Sequence, residues 1–257
     1  MDIEPRIYAI EIGRRTAELQ NFLYQNEQFN PSNKIEIGYY FWCIKYPKRA
    51  ILIDSGFEPQ IAEKRGLKKI KYQIDRLKCI GVKVSDVTTI ILTHLHWDHA
   101  GGTKFFPNAK ILVPNKDLIF YNSYATSYSI INRYIEKNNI EFLNLAKKEG
   151  RVELIDGDYI LNDNIKIHWV GGHTPGTHIV SIQTNKGLYV FASDLGSLYL
   201  NIRKEIVPGI FQNLLDCLNG LRKIRNLAKD EKLIIPSHDL EISKNFMVED
   251  EGIILLS

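Results

Sequence analysis

No apolar run in the sequence approaches the roughly 20 residues that an α-helix needs to cross a bilayer. Cysteine is scarce. Cys43, Cys79 and Cys217 are far apart, odd in number and form no C-x-x-C pair, which argues against a disulfide framework. Each of the three is expected to be a small buried hydrophobe. Charge is nearly balanced at +3 and its Lys and Glu are scattered, so there is no basic stripe for nucleic acid and no membrane-binding helix. The first residues, Met1-Asp2-Ile3-Glu4-Pro5-Arg6, carry acids and a proline where a leader would be basic and then apolar, so the chain reads as cytoplasmic. Low-complexity tracts and obvious linkers are missing too. The 257 residues, 44% hydrophobic and 25% charged, suit a globular protein with a real core.

Histidine, by contrast, is concentrated. Thr93-His94-Leu95-His96-Trp97-Asp98-His99-Ala100-Gly101-Gly102 follows the β-branched run Val87-Thr88-Thr89-Ile90-Ile91-Leu92, which reads as a buried strand. A lone histidine is usually a surface or satisfied core residue, and a lone His-x-His pair is common in strands that bind nothing. Four ligand-type side chains at a strand end before Gly-Gly form a more specific pattern. His94 and His96 are two apart, so extended backbone projects them from one face. Asp98 and His99 follow where the chain turns, and Gly101-Gly102 are expected to let the backbone approach whatever the ligands hold.

The arrangement recurs along the chain. Strands are expected at 6–12, 35–44 and 49–53, the latter two as a hairpin. Asp54-Ser55-Gly56 ends the third, where Asp54 is either a turn-former or a group orienting a metal-bound histidine. Residues 70–80 have helical spacing with Gly81 as a stop. After a strand at 110–114, residues 115–149 show a mixed helical pattern rich in Tyr and Asn, where a substrate-pocket insertion would lie. Strand signals return at 152–155, 165–170, 179–183 and 188–192. His173 lies in the shaped loop Gly171–Thr177, Asp194 ends the fourth of these strands, a helix is expected over 208–227, and His238 follows a last strand at 232–235. His168 reads as structural; His178, at a strand start, does so with a place beside the site as the alternative. Strand runs followed by helices suggest two sheets packed face to face with helices outside.

His94, His96, Asp98, His99, His173, Asp194 and His238 are more ligands than one zinc-like ion uses, and divide into two sites sharing a carboxylate. Nitrogen and oxygen donors without sulfur suit zinc, iron, manganese or cobalt. Two such cations about 3.5–4 Å apart can hold a bridging hydroxide at neutral pH, which gives hydrolysis without a serine or cysteine nucleophile.

These residues resemble the H-x-H-x-D-H motif of the metallo-β-lactamase superfamily, with His173, Asp194 and His238 matching the later ligands in order and Asp54-Ser55-Gly56 similar to its strand-end aspartate. The resemblance runs from about residue 35 to 245. It implies an α+β fold, the αβ/βα sandwich of two mixed β-sheets packed face to face with helices outside, as one domain over 1–257 with a helical insertion at about 115–149. Gly172–Thr177, Ser193-Asp194, Val207–Ile210 and Pro236–Asp239 are closest to the N-acyl-homoserine lactonase-like group. Carried over, His94, His96 and His173 bind the first metal, Asp98, His99 and His238 the second, and Asp194 bridges. The ions would be two divalent cations, zinc first. Asp98 also takes up the proton as a lactone ring opens under attack by the metal-bridging hydroxide. Quorum-quenching lactonases of this group place a substrate-binding tyrosine three residues after the bridging aspartate. Here that position is Ser197, and Tyr199 is the nearest phenol: either Tyr199 substitutes, the metals alone hold the oxyanion, or the substrate differs. The implied partner is a small lactone or related ester, with a homodimer by analogy.

Other readings are a hydrolase of the same superfamily acting on a thioester, another cyclic ester or amide, or a phosphodiester; a di-iron redox protein; and a non-catalytic binding protein. The redox reading meets an intact set of motif histidines where such members usually carry an acidic replacement. The binding reading meets a complete ligand set.

Overall fold

The structure, a computed structural model, describes residues 4–25 and 28–257. Thirteen strands appear among them. β1 (Arg6–Glu18), β2 (Lys34–Lys45), β3 (Ala50–Ile53), β4 (Val87–Ile91), β5 (Lys110–Pro114) and β6 (Val152–Ile155) precede β7 (Tyr159–Ile160), β8 (Ile165–Trp169), β9 (His178–Thr184) and β10 (Gly187–Phe191). β11 (Ile234–Ile235), β12 (Met247–Asp250) and β13 (Ile253–Leu255) complete the set. They form an eight-stranded sheet in the order β12-β13-β1-β2-β3-β4-β5-β6 and a five-stranded sheet in the order β11-β10-β9-β8-β7. Both sheets are mixed: β3 through β6 run parallel, β1 to β3 antiparallel, and β10 pairs β11 in parallel within an otherwise antiparallel sheet.

The period-2 geometry of a strand explains the layering. Along β2, Tyr40, Trp42 and Ile44 join Ile51, Ile53, Val180, Ile182, Tyr189 and Phe191 in a core between the sheets. The alternate residues Tyr39, Phe41 and Cys43 face a second core beneath the helices that cover the large sheet. On the small sheet, Ile179 and Val190 face a third core under the helix Leu214–Leu227. The inner strands of both sheets are thus covered on both faces, which explains apolar runs where a half-exposed strand would alternate. The fold is the expected sandwich. Trp42 and Phe191, each fully buried, meet edge to face at 5.6 Å across the inter-sheet core.

Several boundaries differ from expectation. β1 runs on to Glu18, past the expected end at 12, because it follows β2 through a bulge between Glu11 and Gly13; that register shift disguises the alternation. The helix expected from 208 begins at Leu214, where the Asn213 side chain accepts from the Asp216 N–H and caps it. The expected helix over 70–80 spans Gln73–Cys79, and Gly81 follows with φ +69°. The hairpin of β12 and β13 was not expected; its turn carries Gly252 at φ +72°. Cys43 and Cys217 are buried as expected, but Cys79 is exposed.

Candidate metal centre

The seven candidate ligands, spread over more than 140 positions, meet at one edge of the sandwich. His94 follows β4, His96 precedes the one-turn helix Trp97–Ala100 that carries Asp98 and His99, His173 lies in the loop after β8, Asp194 in the turn after β10, and His238 after β11. They fall into two groups, His94, His96, His173 and Asp194 in one and Asp98, His99 and His238 in the other, with donor atoms within 4.8 Å of one another in each. Asp194 spans both. Its Oδ2 is 3.4 Å from His173 Nε2 and 3.8 Å from His94 Nε2, while its Oδ1 is 3.2 Å from both His99 Nε2 and His238 Nε2.

The far sides of the rings show which nitrogens are free. Nδ1 of His238 faces the Gly38 carbonyl at 2.8 Å, and Nδ1 of His173 faces that of Ile210 at 2.7 Å. His99 Nδ1 lies 2.7 Å from Asp54 Oδ2. A ring that donates from Nδ1 keeps the Nε2 lone pair for a ligand. His94 Nε2 and His99 Nε2 are buried without a hydrogen-bond partner, and His173 Nε2 faces His96 Nδ1 at 2.9 Å. Buried lone pairs aimed at one another are costly unless a cation lies between them. The donors present, imidazole nitrogen and carboxylate oxygen, therefore fit two divalent cations.

Electrostatics divides the five histidines. Burial, reinforced by neighbouring rings, holds His94 and His96 well below the ordinary histidine range, and burial also lowers His173. These are neutral imidazoles, the form that binds metal. Burial opposes protonation of His99 and His238 as well, but Asp194 and Asp98 outweigh it, with Asp54 adding to the effect at His99, so both are raised. Asp194, despite burial, is held well below the carboxylate range by His99 and His238.

Of the two readings of Asp54, the structure shows the orienting one. Its carboxylate accepts from the Thr93 N–H (2.8 Å) and hydroxyl (2.9 Å) as well as facing His99. Asp54 and Ser193 both have φ in the left-handed region, at +57° and +50°, a conformation costing a non-glycine residue about 1–2 kcal/mol. The Ser193 hydroxyl donates to Thr93 Oγ1 at 3.0 Å, so two strained strand ends are tied together behind His94.

Two further groups orient the site, and neither has a role that the sequence assigns. Ser237 donates to Asp194 Oδ1 at 2.6 Å and sets that carboxylate's rotation. Asp117, fully buried in the helix Asn115–Tyr121, accepts from the Leu95 N–H (3.1 Å), the Thr174 hydroxyl (2.9 Å) and the Gly176 N–H (2.6 Å). It clamps the loop carrying His94 and His96 to the loop carrying His173. Burial pushes its carboxyl up to about 6 against those three bonds, so it is still mainly ionised at neutral pH.

Two expectations change. Gly101 and Gly102 do not approach the ligand space; they pack on the loop after β3. A Cβ on Gly102 would lie 2.0 Å from the Ser55 carbonyl oxygen, and one on Gly101 would lie 3.0 Å from Phe57 Cα. Gly102→Ala should therefore destabilise the protein by about 1–3 kcal/mol, read from denaturant unfolding, because backbone must move; an unchanged midpoint would refute the close approach. Tyr199 sits in the inter-sheet core at 1% exposure, with its hydroxyl pushed up to about 12 by burial, and does not line the cavity at the ligands. The turn Ser193–Gly196 and the helix starting at Tyr199 aim it inward, a direction that proximity in sequence does not specify. The phenols that do line the cavity are Tyr39, edge-on to His238 at 5.1 Å, and Tyr134, 5.3 Å from the His96 ring. Ser197 donates to the Asp194 carbonyl at 3.0 Å. His178 lies between the Gly176 and Gly157 carbonyls, and His168 bonds Ser181, both structural.

A sequence model of the metallo-beta-lactamase superfamily matches residues 39–238. An N-acyl homoserine lactonase of Bacillus cereus is 26% identical over 264 aligned positions, covering 96% of this chain and 98% of the relative. Among solved structures, an N-acyl homoserine lactone hydrolase with the product N-hexanoyl-L-homoserine at its catalytic metal centre superposes with a TM-score of 0.77 at 22% identity, covering 97% of this chain and 98% of that one. A dizinc quorum-quenching lactonase with a hexanoyl-homoserine product gives 0.71 at 19% identity, over 100% and 95% of the two chains.

Proposed function

The chain belongs to the metallo-beta-lactamase superfamily, and from that premise we propose that it is a dinuclear metal-dependent hydrolase that opens the ring of N-acyl-homoserine lactones, a quorum-quenching reaction. The observation that carries this reading is the position of Asp194, one oxygen toward each of two ligand groups, in a chain similar over nearly its whole length to lactonases. His94, His96 and His173 would hold one cation and Asp98, His99 and His238 the other. Zinc is the metal we assign, on the donor set and the dizinc neighbour. When bound, the pair would supply a hydroxide nucleophile at neutral pH and polarise the ester carbonyl.

The chain's own residues do the rest. Asp54, Ser237 and the Gly38 and Ile210 carbonyls hold the ligands in their productive orientation, so little reorganisation accompanies reaction. Asp98 borders the substrate cavity, with Oδ2 3.8 Å from His238 Nε2, and is the group we assign to take up a proton as the ring opens. Tyr39 and Tyr134, in place of Tyr199, are the hydroxyls available to a substrate carbonyl. The cavity holds about 480 Å³, which suits a small molecule. Among the described residues no helix is long and apolar enough to cross a membrane.

The direct test pairs metal analysis of the purified protein with a pH-stat assay on short- and long-chain acyl-homoserine lactones, with a simple γ-lactone as comparison. We expect about two metals per chain, proton release on the lactones, and loss of turnover on chelation that is restored by zinc. Two metals without lactone turnover would overturn the substrate and favour the second reading, another cyclic ester, thioester or phosphodiester in the same centre, which the serine at position 197 already favours.

A further inference from the structure

The wall of the cavity away from the ligands is chemically mixed. Phe22, Ile37 and Ile210 make an apolar side, as an acyl chain requires. Three arginines also line it: Arg15 from β1, Arg65 from the loop after the helix Pro59–Lys64, and Arg133 from the segment beyond the helix Ser129–Asn132. Among the described residues, the only acids on the lining are Asp98 and Asp194, both candidate ligands that metal would neutralise.

The three arginines are not equivalent. Arg65 is committed to structure: it pairs with Glu136 at 2.6 Å, donates to the Arg133 carbonyl at 3.0 Å and lies 4.7 Å above the Trp97 ring. Arg15 and Arg133 have no carboxylate partner among the described residues, although the neighbouring Arg14 is paired with Glu11. Arg15 is near enough to Tyr39, whose ring packs on His238, to oppose the rise that burial imposes on that phenol, and the Arg133 guanidinium lies 5.9 Å from the ring of Tyr134, which packs on His96. Each cation thus stands beside a phenol at the metal cavity, on elements far apart in sequence. An uncharged acyl chain needs only the apolar side. Two uncommitted guanidinium groups at the same cavity suit a ligand that brings its own negative charge.

We propose that the natural substrate is anionic: its acyl arm carries a carboxylate or phosphate group, which Arg15 and Arg133 bind while the ring lies at the metals. This deepens the hydrolase reading and rests on it. The arginines act on affinity and orientation and take no part in bond cleavage. Because both are exposed to solvent, their effect should weaken as salt is added.

The test compares N-adipoyl-homoserine lactone, which ends in a carboxylate, with N-hexanoyl-homoserine lactone of equal chain length, and adds an ω-phosphonate analogue. The readouts are kcat/KM and, separately, binding of the three ring-opened products followed by tryptophan fluorescence, in wild-type, R15Q, R133Q and the double variant. We expect the carboxylate or phosphonate form to be preferred about tenfold or more, with the larger of the two preferences identifying the anion. The preference should fall toward one in the double variant and shrink in added salt. A wild-type ratio near one in both readouts would overturn the proposal, as would a tenfold preference that survives in the double variant. If none of the three lactones is turned over the hydrolase reading fails separately, and the product-binding ratios decide the charge recognition by the same criterion.

Discussion

Asp194→Asn should lower turnover by at least about 10³-fold, more than the 10–100-fold typical of losing a residue that merely orients a ligand. The geometry also predicts which half of the centre fails. Ser237 donates to Oδ1 at 2.6 Å, so the amide oxygen of an asparagine will take the Oδ1 position and the NH2 the Oδ2 position. The NH2 then faces His173 Nε2 and His94 Nε2, where Oδ2 stood at 3.4 and 3.8 Å. It cannot ligate, and its protons point into the space a cation needs. The side toward His99 and His238 keeps an oxygen. Metal content should therefore fall from about two to about one per chain, the survivor held by Asp98, His99 and His238. Near-normal turnover per bound metal would sink the dinuclear mechanism, and retention of two metals would refute the bridging role of Asp194.

Asp117→Ala should be the most damaging change outside the ligands. It leaves the buried Leu95 and Gly176 N–H groups without partners, and takes one partner from the Thr174 hydroxyl, which keeps Thr177 Oγ1 at 2.8 Å. Each orphaned group costs about 1–3 kcal/mol, offset in part by no longer burying a charge whose pKa burial has raised to about 6. A net loss of about 3–5 kcal/mol is expected in denaturant unfolding of the metal-free protein. Since the clamp joins the His94/His96 loop to the His173 loop, zinc affinity should fall about 10–100-fold, measured by competition with a chelator. Asp117→Asn, which keeps one acceptor oxygen, should lie between. An alanine variant with wild-type zinc affinity would show that the loops hold their positions without the clamp.

Where the chemistry is local, it is legible in the sequence. His94, His96, Asp98 and His99 lie within six residues at the end of an unbroken apolar strand, so their grouping needs no tertiary information. β2 was legible because β-branched and aromatic residues fill both of its faces. Reading failed where direction or a distant partner decides. Tyr199 is five residues from Asp194, yet one 3-10 turn sends it into the inter-sheet core. Asp117 looks like an ordinary acid in the first turn of a helix until Leu95, Thr174 and Gly176 converge on it from two other segments. The helix expected from 208 begins at 214 because residues before Asn213 are needed elsewhere: the Ile210 carbonyl faces His173, and the Gln212 N–H bonds the Gly172 carbonyl.

What the sequence by itself determined is the donor inventory and its placement at strand ends, because hydrophobic periodicity marks where strands stop and residue type decides what can bind a metal. It also determined the two-sided burial of the sheets, written in continuous apolar runs. The tertiary structure alone decided which oxygen of Asp194 serves which histidines, which ring nitrogens are free, and which phenols and arginines reach the cavity. Those are matters of side-chain direction and of contacts between segments up to 200 residues apart, such as His238 with the Gly38 carbonyl, which only the packing of one sheet on the other brings within 2.8 Å.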